Sequence, residues 1–272
     1  MNKANMVVNT LRQEGLLTLF SKIYLKLLKI ILPEVNIKRK VFLHGVPIIK
    51  EKRGKFFLTK IKADQATEAG IVFAHQQLTL PGDKVVIIGG GDGLTAVIAG
   101  KLVGNNGRVD VYEGGDRSVA RIKKNIKLNG LTDVCTVHHA IVGDGIDVYG
   151  GDPVFAKHIL PTNLPHCDVL ELDCEGSEVS ILQNLTNLPR IIIVELHPSK
   201  WTVDVNWVSD KLKCRGYIIV WRSGHNGISL SESEYHELLH LSKNDLPGSF
   251  SVSTSGAYSD IVIAGVNENY DR

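Results

Sequence analysis

The most constraining feature of this chain is an apolar, strand-like run that breaks abruptly into glycines. Residues 85–95 read VVIIGGGDGLT. Such a run is typical of a buried parallel strand, and closely spaced glycines allow a tight turn and a close approach of a ligand to the backbone. The next strand-like run, RVDVYE, ends in the carboxylate of Glu113. This arrangement is typical of a nucleotide pocket in which the acid accepts hydrogen bonds from a ribose diol.

The spacing of the glycines indicates which nucleotide is bound. The dinucleotide fingerprint G-x-G-x-x-G requires Gly or Ala at its sixth position, where this chain has Leu94. The pattern present is G-x-G-x-G, formed by Gly89, Gly91 and Gly93. It resembles the loop of S-adenosylmethionine-dependent methyltransferases, and that resemblance implies S-adenosylmethionine as the cofactor.

Further cofactor contacts are expected at the strand ends, because open parallel sheets bind ligands beyond the carboxyl ends of their strands. The acid usually found two residues before the first glycine is replaced by Ile87, and we expect Asp92 to substitute for it in part. Residues that end the third strand are expected to flank the adenine ring. The predicted cofactor-binding set is Gly89, Gly90, Gly91, Asp92, Gly93, Glu113, Ala140, Ile141 and Asp173.

Strand-like and helix-like segments alternate from residue 63 onward. Strands are predicted at 84–89, 108–113, 134–142, 167–172, 190–196, 217–222 and 257–265, and helices at 64–79, 94–103, 116–129, 175–186 and 204–215. Strands that alternate with helices favour a doubly wound, mostly parallel sheet. We therefore predict an α/β fold: a Rossmann-like, seven-stranded methyltransferase sheet in residues 63–272, interrupted by an irregular excursion at 143–166.

Residues 1–62 are predicted to form an N-terminal extension with an amphipathic helix and a hairpin over 41–61. The helical segment, residues 16–32, is strongly apolar but carries three lysines that fall on one helical face, namely Lys22, Lys26 and Lys29. A basic amphipathic helix of this kind can lie on a membrane surface. The alternative is a helix that packs on the catalytic domain or on a second subunit, and the oligomeric state stays open.

Composition limits the possible partners and the compartment. The formal net charge is +2, which gives no reason to expect a nucleic-acid partner. The four cysteines, at positions 135, 167, 174 and 214, have no zinc-binding spacing and are expected to be reduced thiols of a cytoplasmic protein. We see no secretory signal and no apolar stretch long enough to span a membrane.

Acidic residues follow the strand predicted at 167–172. Asp173 and Glu175 lie at the strand-to-helix junction, and Glu178 lies about one turn into the helix. A helix dipole stabilises carboxylates near its N-terminus by roughly 0.3–1 kcal/mol, which by itself can account for Glu175 and Glu178. Asp173 follows an apolar strand and is expected to face the ligand crevice, so we predict a functional role for it.

The strand predicted at 190–196 ends in the sequence VELHP. Glu195 and His197 alternate with apolar residues there, so both can point to one side of the sheet. A histidine can act as a general base near neutral pH, although one before Pro198 can also be a capping or packing residue. We predict His197, Asp173 and Glu195 as catalytic residues. These three could also hold Mg²⁺ or Mn²⁺, but their spacing is no specific metal signature.

The combined elements resemble FkbM-type methyltransferases, which transfer methyl groups to oxygen. The resemblance rests on ELDCEGSEVSIL and VELHP and covers residues 82–222. Its most specific part is D-x-E-G-x-E, formed by Asp173, Glu175, Gly176 and Glu178. It implies an O-methyltransferase acting on a hydroxyl of a sugar, glycan or related small molecule. A lipid-linked glycan would be a natural acceptor if residues 16–32 lie on a membrane.

Other functions share this fold. IIGGGDG also resembles the glycine loop of spermidine synthases, but those aminopropyltransferases carry a D-x-x-D-P element where this chain has Asp173-Cys-Glu-Gly. Leu94 disfavours a nicotinamide-dependent oxidoreductase. A non-catalytic scaffold at a membrane surface is the last alternative, and the intact glycine turn and Glu113 argue against it.

Overall fold

The computed structural model describes residues 21, 24, 27, 30–56, 59–144, 148, 151–244 and 261–270. The chain divides into two compact units. The first contains residues 1–39 and 50–62, and the second contains residues 40–49 and 63–272. The helix predicted over 16–32 lies mostly outside the described residues, including its three lysines. Its described members, Ser21, Tyr24, Leu27, Ile30 and Ile31, are helical.

A hairpin precedes the main sheet. Its strands are β1 (Glu34–Leu43) and β2 (Val46–Lys55), which pair as a two-stranded sheet. The turn between them contains His44 and Gly45, whose φ angles of 46° and 79° are both left-handed. The hairpin therefore begins earlier in the chain than the predicted range of 41–61, because the charged and apolar residues from Glu34 onward continue the strand pattern backwards.

Within the described part of the chain, the main sheet has eight strands, one more than predicted. They are β3 (Lys84–Ile88), β4 (Arg108–Glu113), β5 (Cys135–Val142), β6 (Lys157–Ile159), β7 (Val169–Leu172), β8 (Ile191–Leu196), β9 (Tyr217–Gly224) and β10 (Ile261–Asn267). Their spatial order is β6-β5-β4-β3-β7-β8-β10-β9. The pairs from β6 to β8 are parallel, and β10 is antiparallel to both β8 and β9. The predicted mostly parallel, doubly wound sheet is confirmed.

Six helices accompany the sheet within the described residues. They are α1 (Ala69–Leu78), α2 (Leu94–Val103), α3 (Asp116–Leu128), α4 (Glu178–Asn184), α5 (Trp207–Cys214) and α6 (Glu232–Asn244). Helix α6 was not predicted, although the sequence contains a signal for it. The Ser231 hydroxyl accepts a hydrogen bond from the Glu234 amide, and the Glu234 carboxylate accepts one from the Ser231 amide. This reciprocal pair is a capping box.

A buried polar cluster connects two helices to the centre of the sheet. The Glu171 carboxylate on β7 lies 2.6 Å from Nε2 of His75 on α1, and it accepts a hydrogen bond of 2.8 Å from the Thr95 hydroxyl on α2. All three side chains are buried among apolar residues. Because a buried polar group without a partner is costly, this cluster fixes α1 and α2 against β7. Because β3, β4, β5, β7 and β8 are parallel, their carboxyl ends share one edge of the sheet.

Candidate active site

The turn after β3 begins at Gly89, where the backbone φ angle is 92°. A Cβ atom at this position would overlap the backbone carbonyl of Asp173, which follows β7. Only glycine satisfies both the left-handed backbone and this close approach. The turn is thus in direct contact with the strand end that carries the acidic residues.

The other glycines of the turn have two different environments. Gly91 lines the cavity beyond the strand ends, as Gly89 does. A Cβ at Gly90 would lie 2.6 Å from Ile122 of α3, and one at Gly93 would lie 3.1 Å from the Cα atom of the same residue. Gly90 and Gly93 therefore allow α3 to pack closely behind the turn, while Gly89 and Gly91 present backbone to the cavity.

Glu113 lies at the end of β4 and holds the turn in place. Its Oε2 atom accepts hydrogen bonds from the amides of Gly90 and Gly91 at 3.1 and 3.2 Å, and its Oε1 atom accepts one from Gly115 at 2.8 Å. Burial raises the pKa of Glu113, and the hydrogen bonds from these amides oppose that rise. Each carboxylate oxygen has further acceptor capacity, so Glu113 can hold the turn and still accept hydrogen bonds from a ligand.

A cavity of about 280 Å³ lies beyond the strand ends. Its lining includes seven of the nine predicted cofactor-binding residues: Gly89, Gly91, Asp92, Glu113, Ala140, Ile141 and Asp173. Five carboxylates contribute to the lining, those of Glu68, Asp92, Glu113, Asp173 and Glu175, together with the guanidinium of Arg121. Since carboxylates predominate, the cavity favours a ligand that carries positive charge.

Asp92 is paired within the protein. Its Oδ1 atom lies 3.0 Å from Nε of Arg121, so the carboxylate that was expected to replace the missing acid at Ile87 already neutralises a guanidinium. A second acid lies beside the turn. The Oε1 atom of Glu68 would lie 3.7 Å from a Cβ built on Gly91.

Glu68 has an unusual backbone conformation. Its φ angle is 52°, in the left-handed region, and its amide donates a 3.1 Å hydrogen bond to Nε2 of His225. Left-handed non-glycine residues are uncommon and concentrate at functional sites. Sequence reasoning missed Glu68 because it placed this residue inside a helix over 64–79, whereas α1 begins at Ala69.

The acids after β7 are built around a buried pair between Glu178 and His197. The Oε1 atom of Glu178 lies 2.8 Å from Nδ1 of His197, and its Oε2 atom accepts a 3.0 Å hydrogen bond from the indole of Trp201. The Gly176 amide also donates to Oε1, at 3.1 Å. Glu178 is fully buried, so its role extends beyond a favourable interaction with the helix dipole: it fixes the orientation of the His197 ring.

The other nitrogen of His197 faces two carboxylates. Its Nε2 atom lies 3.8 Å from Oδ1 of Asp173 and 3.6 Å from Oε2 of Glu175. Burial favours the neutral imidazole, but the hydrogen bond and charge of Glu178, with the charges of Asp173 and Glu195, raise the pKa of His197 to about 10. The ring is therefore protonated at neutral pH, and the catalytic role of His197 stays a prediction.

Asp173 and Glu195 are close neighbours on adjacent strands. Burial and the negative charge of Glu195 raise the pKa of Asp173 well above its ordinary value. Glu195 is buried, and its Oε1 atom lies 2.7 Å from Nδ1 of His225. The three predicted catalytic residues, Asp173, Glu195 and His197, are thus brought together at the ends of β7 and β8.

A group of possible metal ligands exists at this place, but its membership differs from the predicted one. Within the described residues, Asp173, Glu175 and His197 each offer an atom, and these atoms lie within 4.8 Å of one another. The sequence had suggested Glu195 as the third ligand, but that side chain faces His225. Glu175 also contacts Lys200, whose Nζ lies 2.8 Å from Oε2.

Comparison with known proteins shows likeness in structure alone. No protein-family model matches the chain, and no curated protein matches it. An S-adenosylmethionine-dependent O-methyltransferase from Thermotoga maritima is 15% identical, with a TM-score of 0.45 over 86% of this chain and 79% of its own. A ribosomal protein L11 methylase from Lactobacillus delbrueckii subsp. bulgaricus is 12% identical, with a TM-score of 0.43 over 76% and 80%.

A precorrin-6y C5,15-methyltransferase from Geobacter metallireducens is 13% identical, with a TM-score of 0.42 over 76% of this chain and 90% of its own. Two of these names state an acceptor, ribosomal protein L11 and precorrin-6y, and the two acceptors differ. At such identities and scores the likeness identifies neither a family nor an acceptor. Among the described residues, no helix has the length and apolar character needed to cross a membrane.

Proposed function

We propose that this protein is an S-adenosylmethionine-dependent O-methyltransferase. The observation that carries the proposal is the convergence of two groups on one cavity. The glycine turn with Glu113 contributes one group of lining residues, and Asp173 with Glu175 contributes the other. A sulfonium cofactor held by the first group would lie next to the second, where an acceptor can be aligned and its proton removed.

The cofactor half of the site is assigned as follows. Backbone groups of Gly89 and Gly91 face the methionine portion, Glu113 accepts hydrogen bonds from the ribose, and Ala140 and Ile141 flank the adenine. We assign the ammonium group of the methionine portion to Glu68, because this carboxylate lies beside the turn and also lines the cavity. The excess of carboxylates in the lining suits a cofactor with both an ammonium and a sulfonium group.

The acceptor half consists of Asp173, Glu195 and His197. Methyl transfer from a sulfonium is an in-line displacement of an already activated group, so the protein mainly aligns donor and acceptor and excludes water. The acceptor hydroxyl must also lose its proton. We assign that proton to the Asp173–Glu195 carboxylate pair, because the imidazolium of His197 already carries a proton at neutral pH. His197 would orient Asp173.

At the finer level, we propose an FkbM-type enzyme that methylates a sugar or glycan hydroxyl. The support is the D-x-E-G-x-E element, whose last member, Glu178, positions His197. Cytoplasmic location and peripheral membrane contact through residues 16–32, with a lipid-linked acceptor, belong to the same proposal. The net charge of +2 supports a small-molecule or glycan partner over nucleic acid.

An aminopropyltransferase is the second candidate, and one observation favours it. The lining contains five carboxylates, which would also suit a cationic amine acceptor and a decarboxylated cofactor. The two candidates differ in the nucleotide they bind. An aminopropyltransferase prefers decarboxylated S-adenosylmethionine, whereas a methyltransferase binds S-adenosylmethionine and its demethylated product.

Calorimetry with these three ligands on the purified chain tests the proposal. Micromolar binding of S-adenosylmethionine and its demethylated product supports a methyltransferase, and preference for the decarboxylated form supports the second candidate. The Glu113→Gln variant should bind the cofactor more weakly. Asp110→Asn is a matched control, because Asp110 lies on the same strand but pairs with Arg108 and His138. Absence of all binding by the wild type would refute both enzymatic assignments and leave the scaffold alternative.

A further inference from the structure

The side chains of Asp173, Glu175 and His197 converge on one small volume, and two of them, Asp173 and Glu175, also line the cavity. Their ligand atoms come from two elements: the two acids follow β7, and the imidazole follows β8. The Nε2 atom of His197 lies 3.6 Å from the Glu175 oxygen and 3.8 Å from the Asp173 oxygen. Both distances are longer than hydrogen bonds, so the imidazole nitrogen points into the space between the carboxylates without closing on either.

The other side of the imidazole has the arrangement found behind metal-binding histidines. Such a histidine almost always gives its second ring nitrogen to a carboxylate or carbonyl, which fixes the tautomer and the ring orientation. Glu178 does this at 2.8 Å, and Glu178 is in turn held by Trp201. Both Glu178 and His197 are buried, with 0% and 7% of their surfaces exposed. With Nδ1 held by Glu178, Nε2 is the ring atom that can bind a ligand.

We propose that Asp173, Glu175 and His197 bind one divalent cation of the Mn²⁺ class, with Glu178 orienting the imidazole. The ion takes the place of the proton on Nε2 of His197, which is released to solvent as the metal binds. Octahedral ligands at about 2.1 Å from an ion lie roughly 3 Å apart when adjacent and roughly 4 Å apart when opposite. The spacings in the protein, all within 4.8 Å, are slightly wider, so small side-chain shifts bring the three atoms onto one ion. Two carboxylates with an imidazole suit Mn²⁺ better than Ca²⁺.

Lys200 provides a built-in competitor for this ion. Its ammonium lies 2.8 Å from the same Glu175 oxygen that faces Nε2 of His197. An entering cation would share Glu175 with a like charge or displace it. The site therefore predicts that removal of the Lys200 charge strengthens cation binding, an effect that a purely structural role of the cluster would not produce.

The effect of the cation on an acceptor rests on the proposed function. Because Asp173 and Glu175 line the cavity, a cation held by them could also bind an acceptor hydroxyl there and would lower its pKa. Such a site selects acceptors that offer two neighbouring oxygens, such as a vicinal diol of a sugar. Glu195, which is bonded to His225, stays outside the coordination sphere and remains available to the acceptor proton.

The test is a titration of the full chain with Mn²⁺, in which electron paramagnetic resonance measures the concentration of free Mn²⁺. We expect one ion per chain, at least ten-fold weaker binding in Asp173→Asn and His197→Gln, and several-fold tighter binding in Lys200→Met. His138→Gln is the matched control, because His138 pairs with a carboxylate, Asp110, at 2.9 Å outside this cluster. The control should bind like the wild type.

Glu175→Gln keeps the test decisive if a variant of the buried pair fails to fold, because Glu175 is about a quarter exposed. Lack of Mn²⁺ binding by the wild type at millimolar concentration would overturn the inference. Equal binding by wild type, Asp173→Asn and Glu175→Gln would also overturn it. Cofactor calorimetry in the presence of EDTA separates the two proposals: cofactor binding without Mn²⁺ binding removes only the metal site.

Discussion

His197 and Glu178 are nineteen residues apart in the chain, yet their Nδ1 and Oε1 atoms lie 2.8 Å apart in the buried floor of the site. The pair connects the end of β8 to the first turn of α4. It also explains why the last acid of the D-x-E-G-x-E element is so deeply placed. The element supports an imidazole: Asp173 and Glu175 lie on its Nε2 side, and Glu178 lies on its Nδ1 side.

Replacing Glu178 by Gln should destabilise the protein, because it leaves a buried imidazolium without its counter-charge. Loss of one partner of a buried pair costs about 3–5 kcal/mol. The folded pKa of His197 is about 10, above the ordinary 6.5, so its contribution is complete below about pH 6.5 and disappears as the pH rises through 10. The pKa of Glu178 is lowered, so its contribution disappears in acid.

Urea unfolding of wild type and Glu178→Gln in EDTA, over the range from pH 5 to 10, measures this prediction. The difference in the free energy of unfolding should be greatest near pH 5–6.5 and should shrink toward pH 10. A difference that stays constant over this range would mean that the pair contributes by shape and packing alone.

Gly89→Ala should unfold more easily and lose cofactor binding. An alanine at a positive φ destabilises by more than about 1 kcal/mol, and here the added methyl group would also overlap the Asp173 carbonyl. Gly82→Ala is the matched comparison, since Gly82 has a similar φ of 87° but open space around its Cβ position. Thermal unfolding of both variants separates the effect of the close approach from that of the backbone strain. Equal losses of stability in the two variants would contradict the contact between Gly89 and the Asp173 carbonyl.

Glu68→Gln should weaken binding of the demethylated cofactor by roughly ten- to a hundred-fold, since a hydrogen bond to a charged group contributes about 1.5–3 kcal/mol. The control is a ligand instead of a variant. 5′-Methylthioadenosine contains the adenosine and sulfur but lacks the ammonium group, so its affinity should be the same for both proteins. If calorimetry shows that both ligands lose the same affinity in Glu68→Gln, Glu68 does not bind the ammonium group.

Thiol labelling at pH 8 should distinguish the cysteines. Burial raises the pKa values of Cys135 and Cys167 to about 12, so both are protonated and inaccessible. Cys214 is exposed and should react first with a chromogenic disulfide. Cys214→Ser should remove the fast phase, and Cys135 and Cys167 should react only after denaturation. Rapid reaction of either Cys135 or Cys167 in native Cys214→Ser would contradict the packing around the sheet.

The parts of the fold that could be predicted are those in which local sequence and final environment agree. Strands such as β3 and β8 are continuous runs of Val and Ile because parallel central strands are buried on both faces. The short edge strand β6 has the sequence KHI, which contains no periodicity, and only its pairing with β5 makes it a strand. Helix α6 was missed although Ser231 and Glu234 carry its capping signal.

The site also has a part that the sequence predicts and a part that it does not. Asp173, Glu195 and His197 could be expected to lie together, because they follow or end parallel strands and the topology alone decides which edge they share. Glu68 could not be found in this way, since its position depends on a left-handed backbone and on a hydrogen bond to His225, which is 157 residues away. The protonation of His197 was equally hidden, because it results from charges on three separate segments.

The contact between Gly89 and the Asp173 carbonyl has a wider consequence. Because the turn and the acidic strand end touch through backbone atoms, the distance from the proposed methyl donor to the acids after β7 would be set by the sheet itself. Loops around the cavity can then change in sequence and length without disturbing that distance. Under the proposed function, the loops would then determine which acceptor binds, while the sheet fixes the geometry of the reacting atoms.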